Sequence, residues 1–533
     1  MPPDIPPLSV DTRDIRQCLA ALAALPVTNV SLAYGMLTAL LTNIRRHPPS
    51  VVDYLTILES AREPLAVIQD ALAARYSAKP LPASIDESTA FEKALAMWRL
   101  MADSYAHVAQ IGGREPGIQA QLALICQRCV HYAGCIVIEY YRAHRALAKG
   151  VWLDLHGYYD SAEDWGLAEH PVDEPLNDVV NVTTAQATFA AVLLVDLSNP
   201  YGRTSRELSW IIRWARTLGL DTKVYQPDDS AGSRGYGIDL MQDKGLRPVD
   251  QLATTPSARI FDTSLLAKNV HEIINRLKNK EPPVSLRLGN DCPAPMAARL
   301  LVQLYRPWCL VAMARRFQRN NASGVLTVTF HPESIYYHVV GRQFEQPVHA
   351  RTYSRADVEN IWSLRHQLDP NEPLNVQVSK NNANLNYWDL ADQSMNGFRA
   401  FRSPAGPRVE HGQLVALMAP GKSEFQLGQI SWLMQETDGR LQAGIHVLPG
   451  PVSGVALRPT GVMVTANDPY VPGYLLPAVP SLKEPMSVIV PSGWFSPGKV
   501  IEVFSNRAMH AQLEEQIAKG IGFERCSFSM TMG

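Results

Sequence analysis

The chain has 533 residues and a formal net charge of −2, with 46% hydrophobic and 19% charged residues. It is too long for one ordinary core, so about two to four domains are expected. It is also too apolar for a disordered chain and too neutral to bind nucleic acid through bulk charge.

The N-terminus MPPDIPPLSV lacks the basic and apolar regions of a secretion signal, and no run of about 18 apolar residues follows, so no membrane span is expected. Seven cysteines, an odd number, are scattered at 18, 126, 129, 135, 292, 309 and 526. That usage fits a reducing compartment, and a cytoplasmic location is expected. The first three hundred or so residues then carry helical periodicity. Asp11 precedes a stripe of Ile15, Cys18, Leu19, Leu22 and Leu25, and Phe91, Leu95, Trp98, Ala102 and Tyr105 repeat the spacing. Residues 118–147 are apolar nearly all round, which predicts a helix with neighbours on several sides. Thr204 and Glu207 have capping-box spacing, with Gly219 placed to stop the helix. No repeat period emerges, so an irregular bundle or solenoid is expected.

Near residue 321 the texture changes. A basic helix end with Arg315, Arg316 and Arg319 leads into Asn320 to Gly324, the best linker signal in the chain, and then into the strand VLTVTF. Strands over 414–418, 425–434 and 441–447, separated by Ala419-Pro420-Gly421-Lys422 and Thr437-Asp438-Gly439-Arg440, predict an antiparallel meander. After a proline-rich stretch, strands are expected over 486–490, 500–504 and 524–530, with a short helix over 508–519.

Elimination removes most chemistry. Gly421-Lys422-Ser423 resembles the end of a phosphate-binding loop, but Ala416 stands where its first glycine belongs and strands flank it, so a hairpin turn is expected. No nucleophile elbow, zinc helix or dinucleotide fingerprint occurs, and no enzymatic activity is expected. Cys126, Cys129, His131 and Cys135 have zinc-ligand chemistry, but on one helix they point around the whole circumference; core packing without metal is expected. Trp152, His156, Tyr158, Tyr159 and Trp165 read as helix-packing aromatics.

The informative stretch is WDLADQSMNGFRAF, residues 388–401. Its Asp392-Gln393-Ser394-Met395-Asn396-Gly397 has the D/N-x-S-x-x-G pattern of PilZ domains, and the three strands after it follow in the order of that barrel. Residues 340–460 thus resemble a PilZ domain, the family of bacterial receptors for cyclic dimeric GMP. The stretches WLDLHGYYDSAEDW and NPYGRTSRELSWIIRWA are similar to the helical halves of long PilZ-bearing proteins.

The resemblance implies that Asp392 accepts from guanine donors, Ser394 bonds base or phosphate, and Gly397 lets the backbone approach. It also implies an R-x-x-x-R pair before the barrel, and Arg351 and Arg355 have that spacing. Such arginines fork onto phosphate and stack on a base. Ser354 to Glu359 also reads as a capped helix start, which would put both arginines on another element. Asp392 and Ser394 would then only satisfy a turn.

The expected fold is α+β and multidomain: helical regions over 1–170 and 171–320, a PilZ-like antiparallel barrel over 321–460 and a small β-rich extension over 461–533. The expected function is a cyclic dimeric GMP effector coupled to an unidentified protein partner, with no cofactor and no nucleic acid partner. The alternative is a degenerate PilZ-like scaffold that binds protein and no nucleotide.

Overall fold

The computed structural model describes residues 10–177, 179–227, 235–310, 320–347, 384–460 and 468–531. It divides into two compact units, residues 1–79 with 83–314 and residues 80–82 with 315–533.

The first unit is built on helices α1 (Ile15–Ala23), α2 (Val30–Arg46), α3 (Val51–Tyr76), α4 (Ile85–Gly112), α5 (Pro116–Gln119), α6 (Leu122–Arg142), α7 (Val151–Asp164), α8 (Ala185–Leu197), α9 (Ser205–Leu218), α10 (Ser264–Lys278) and α11 (Ala294–Cys309). Their starts are set by side-chain caps. Thr204 and Glu207 form the expected capping box on α9, and Ser84 with Glu87 forms another on α4. Asp14, not Asp11, caps α1, accepting from Arg16 N. One hydrophobic core runs from Cys18 to Trp308, so the helical regions expected on either side of residue 170 share it. Helix α6 is long and apolar enough to cross a membrane, but 78% of its most apolar window is buried inside this unit.

The unit is not all helix. Strands β1 (Val172–Asp173) and β2 (Val182–Thr183) pair, and β3 (Lys223–Tyr225), β4 (Tyr236–Asp239), β5 (Arg247–Pro248) and β6 (Ala258–Asp262) form an antiparallel sheet in the order β3-β6-β4-β5. These strands are short, and β4 is buried at every position, so the alternation that announces a strand is missing. Where α3 and α6 meet the β1 end, charge is buried in pairs. Arg128 Nε lies 2.9 Å from Glu59 Oε1 and its Nη1 2.9 Å from Glu174 Oε2, while Arg62 Nη2 lies 2.6 Å from Glu174 Oε1. Pairing of this kind is what makes a fully buried arginine tolerable.

The second unit holds two closed antiparallel barrels. The first uses β7 (Asn320–Asn321), β8 (Val325–Thr329), β9 (Asn386–Ser394), β10 (Gly397–Arg402), β11 (Leu414–Met418), β12 (Gln426–Gln435) and β13 (Leu441–Val447). Its order is β10-β13-β12-β11-β8-β9, closed by β9 against β10, with β7 added on β9. The expected meander is therefore present, but Asn320 and Asn321, read as linker, are a strand. They extend the edge of β9 that β8 leaves unpaired beyond Asp389. The second barrel takes β14 (Ser453–Pro459), β15 (Val471–Leu476), β16 (Ser487–Pro491), β17 (Val500–Phe504), β18 (Ala508–Gly520) and β19 (Phe523–Thr531), in the order β14-β15-β16-β19-β18-β17. In place of the extension expected over 461–533, this barrel starts at Ser453, inside the stretch expected for the first barrel, because β14 pairs with β15 and β17 around a separate core of Val455, Leu457, Val488, Val490, Ile501, Val503, Leu513 and Cys526.

The helix expected over 508–519 is instead β18. Its Ala511 and Leu513 are buried in the barrel, and it pairs with β17 and β19, so tertiary contacts override a stretch rich in helix formers. Helix α12 (Pro332–Val340) lies between the barrels. Its Ile335 and Tyr336 share a core with Leu427 and Leu448 from the first and Tyr474, Leu476, Ile489 and Phe523 from the second.

Candidate functional site

The D-x-S-x-x-G residues sit on the β9–β10 hairpin. Asp392 is opposite Arg399 and Ser394 opposite Gly397, leaving Met395 and Asn396 as the two turn residues. Asp392 is 6% exposed, and Arg399 Nε lies 2.6 Å from its Oδ2. Ser394 Oγ is 3.3 Å from Asn396 Oδ1 and 3.3 Å from the Gly397 carbonyl oxygen, either of which can accept its proton. Gly397 is required by crowding. A Cβ there would lie 2.8 Å from the Ile445 carbonyl oxygen, because β10 pairs with β13 at that point.

The hairpin thus brings together three of the five expected site residues. Arg351 and Arg355 lie outside the described residues. The spacing within the basic run before the barrel was passed over in the sequence. Arg315-Arg316-Phe317-Gln318-Arg319 also has R-x-x-x-R spacing, and Arg319 is bonded directly to Asn320. Asn320 pairs with Gln393 and Asn321 with Asp392. The chain that leaves this arginine run is therefore laid alongside the motif strand, although the run itself is outside the described residues. The signal that could have found it is position: it stands immediately before the barrel's first strand.

A cleft of about 820 Å³ opens beside the motif turn. Met395 and Asn396 line it together with α12, the start of β12, the loop after β13, and Leu482 and Glu484 of the second barrel. On one wall the rings of His338 and Phe425 are stacked, 4.4 Å between centroids and 30° between planes. Burial holds the His446 imidazole, also on the wall, below its ordinary value. Gly421, with φ +74°, and Lys422, whose N–H donates to the Ala419 carbonyl oxygen at 3.0 Å, make the expected hairpin turn between β11 and β12.

In the helical unit, Cys126, Cys129 and Cys135 are buried on α6. Burial pushes the Cys126 thiol up to about 11 and the Cys135 thiol up to about 12, and Cys135 Sγ lies 3.7 Å from His131 Nε2. Of the aromatics read as helix packing, Trp152, His156 and Tyr159 are buried, whereas Trp165 is 52% exposed.

Residues 16–226 match the family model described as cyclic-di-GMP receptor FimW, N-terminal domain, and residues 455–531 match that of the FimW C-terminal beta-barrel domain. Together the matches span more than half of the chain. The chain belongs to the FimW family of cyclic-di-GMP receptors. No curated protein matches it. The two FimW matches fall on the helical unit and the second barrel. The first barrel, with the D-x-S-x-x-G hairpin, occupies the interval between them.

Proposed function

We propose that this FimW-family receptor is a non-enzymatic, cytoplasmic effector that binds cyclic dimeric GMP at a PilZ-like first barrel and passes the bound state to a protein partner. The observation that supports the reading is the pairing of Asn320 and Asn321, the residues directly after Arg319 in the sequence, with Gln393 and Asp392 of the motif strand. In this reading Arg315 and Arg319 hold the phosphates with forked, charge-assisted hydrogen bonds. Asp392 and Arg399 then present an acceptor and a donor side by side, suited to a guanine edge that offers both. Ser394 adds one polar contact, and Gly397 keeps the turn tight.

One observation favours the second reading, a barrel without ligand. Asp392 already has a cationic partner in Arg399, and Ser394 has acceptors within its own turn, so neither needs a nucleotide to be satisfied. Calorimetric titration with cyclic dimeric GMP separates the two. The receptor reading expects saturable binding that weakens about 10- to 100-fold in Arg315→Ala and in Arg319→Ala, the scale of a lost charge-assisted bond. It expects little change in Arg351→Ala or Arg355→Ala. The reverse pattern would return the site to Arg351 and Arg355, and absence of binding in the parent would leave the scaffold reading. Output requires that the ligand favour one arrangement of the protein over another, since a ligand without differential affinity shifts nothing.

A further inference from the structure

We infer that the cleft beside the motif turn is a base pocket, in which one guanine of the cyclic dinucleotide stacks at the His338–Phe425 ring pair and touches both barrels. This rests on the receptor reading above and extends it to residues outside the D-x-S-x-x-G motif.

Position comes first. Met395 and Asn396 belong to the motif turn and also line the cleft, so a ligand held along Asp392 to Gly397 has this hollow directly beside it. At about 820 Å³ the cleft lies within the roughly 300–1,000 Å³ of small-molecule sites. Its chemistry suits a base and not a phosphate. No arginine or lysine is among its described lining residues, so a dianionic phosphate pair gains nothing there. The stacked rings of His338 and Phe425 offer a planar aromatic platform, and bases stack on such platforms whatever their sequence. Glu424, an exposed carboxylate beside Phe425, accepts and does not donate. Guanine offers N1–H and a 2-amino group to an acceptor of that kind, and adenine lacks both.

The far wall gives the pocket a consequence. Leu482 and Glu484 come from the connection between β15 and β16 of the second barrel. Glu484 is anchored by Arg525 of β19, whose Nη2 lies 2.9 Å from its Oε2. A base in the cleft therefore contacts an element fixed to the second barrel's strands as well as the first barrel's hairpin. Occupancy can bias the packing of one barrel on the other around α12, which is how differential affinity becomes a structural output.

The test uses the full-length protein with cyclic dimeric GMP and cyclic dimeric AMP as probes, and thermal melts as a control for folding. Phe425→Leu should weaken cyclic dimeric GMP at least tenfold, and Phe425→Trp, which keeps a ring, should retain binding. His338→Ala supplies the same information if Phe425→Leu melts abnormally. Glu424→Gln should narrow the preference for guanine over adenine. If the parent binds cyclic dimeric GMP and the Phe425, His338 and Glu424 variants all match it within twofold, the base pocket is wrong while the receptor reading stands. If the parent itself fails to bind, both fall.

Discussion

Gly397 occupies a position where a side chain has no room, because the Ile445 carbonyl oxygen would sit 2.8 Å from its Cβ. Gly397→Val should therefore destabilise the first barrel by about 1–3 kcal/mol, the cost of overpacking, read as a lower denaturant midpoint. An unchanged midpoint would mean that the β10–β13 register is wrong. The buried histidine of α7 makes a second prediction. His156 is 0% exposed, between Trp152 and Phe189, and burial lowers its pKa to about 4. The unfolded chain takes up a proton near pH 6.5 and the folded chain only near 4. The stability tied to this neutral imidazole is thus complete above 6.5 and is lost as pH falls towards 4, by roughly 3 kcal/mol. In His156→Phe, urea midpoints at pH 7 and pH 4.5 should differ less than in the parent.

Single elements show where sequence patterns carry information and where they fail. The α9 capping box was legible in Thr204 and Glu207 because a cap is local, and the β11–β13 meander in its two turns for the same reason. Strand β18 was not legible. Its sequence AMHAQLEEQIAKG is rich in helix formers, and register shifts between Leu513 and Gln516 and between Gln516 and Ala518 break the alternation that would betray a strand. Its pairing on both sides makes it testable. Ala511 faces Ile501 of β17 and Met530 of β19. Ala511→Pro removes a ladder donor in a closed barrel and should abolish the second barrel's cooperative melt. A retained melt would restore a helix at 508–519.

Across the whole molecule, the D-x-S-x-x-G hairpin was legible and the pairing of residues 320 and 321 with it was not, for a reason of topology. Strands β8 and β9 are neighbours in the first barrel, yet β8 ends at Thr329 and β9 begins at Asn386, with α12 in between. Counting back along the chain from Asp392 reaches Arg351 and Arg355. Following the sheet from Asp392 reaches Asn321 and Asn320, which directly follow Arg319 in the sequence. The helical unit and the second barrel carry the FimW matches, and their roles had no motif to announce them. The central claim is that this chain itself binds the nucleotide, with the first barrel as the site. Calorimetry of the full-length protein with cyclic dimeric GMP tests it most directly. Saturable binding with a Kd below roughly 100 µM, weakened at least tenfold by Arg319→Ala, is the result predicted. No heat of binding at that concentration, or binding indifferent to both Arg319→Ala and Asp392→Ala, would contradict it.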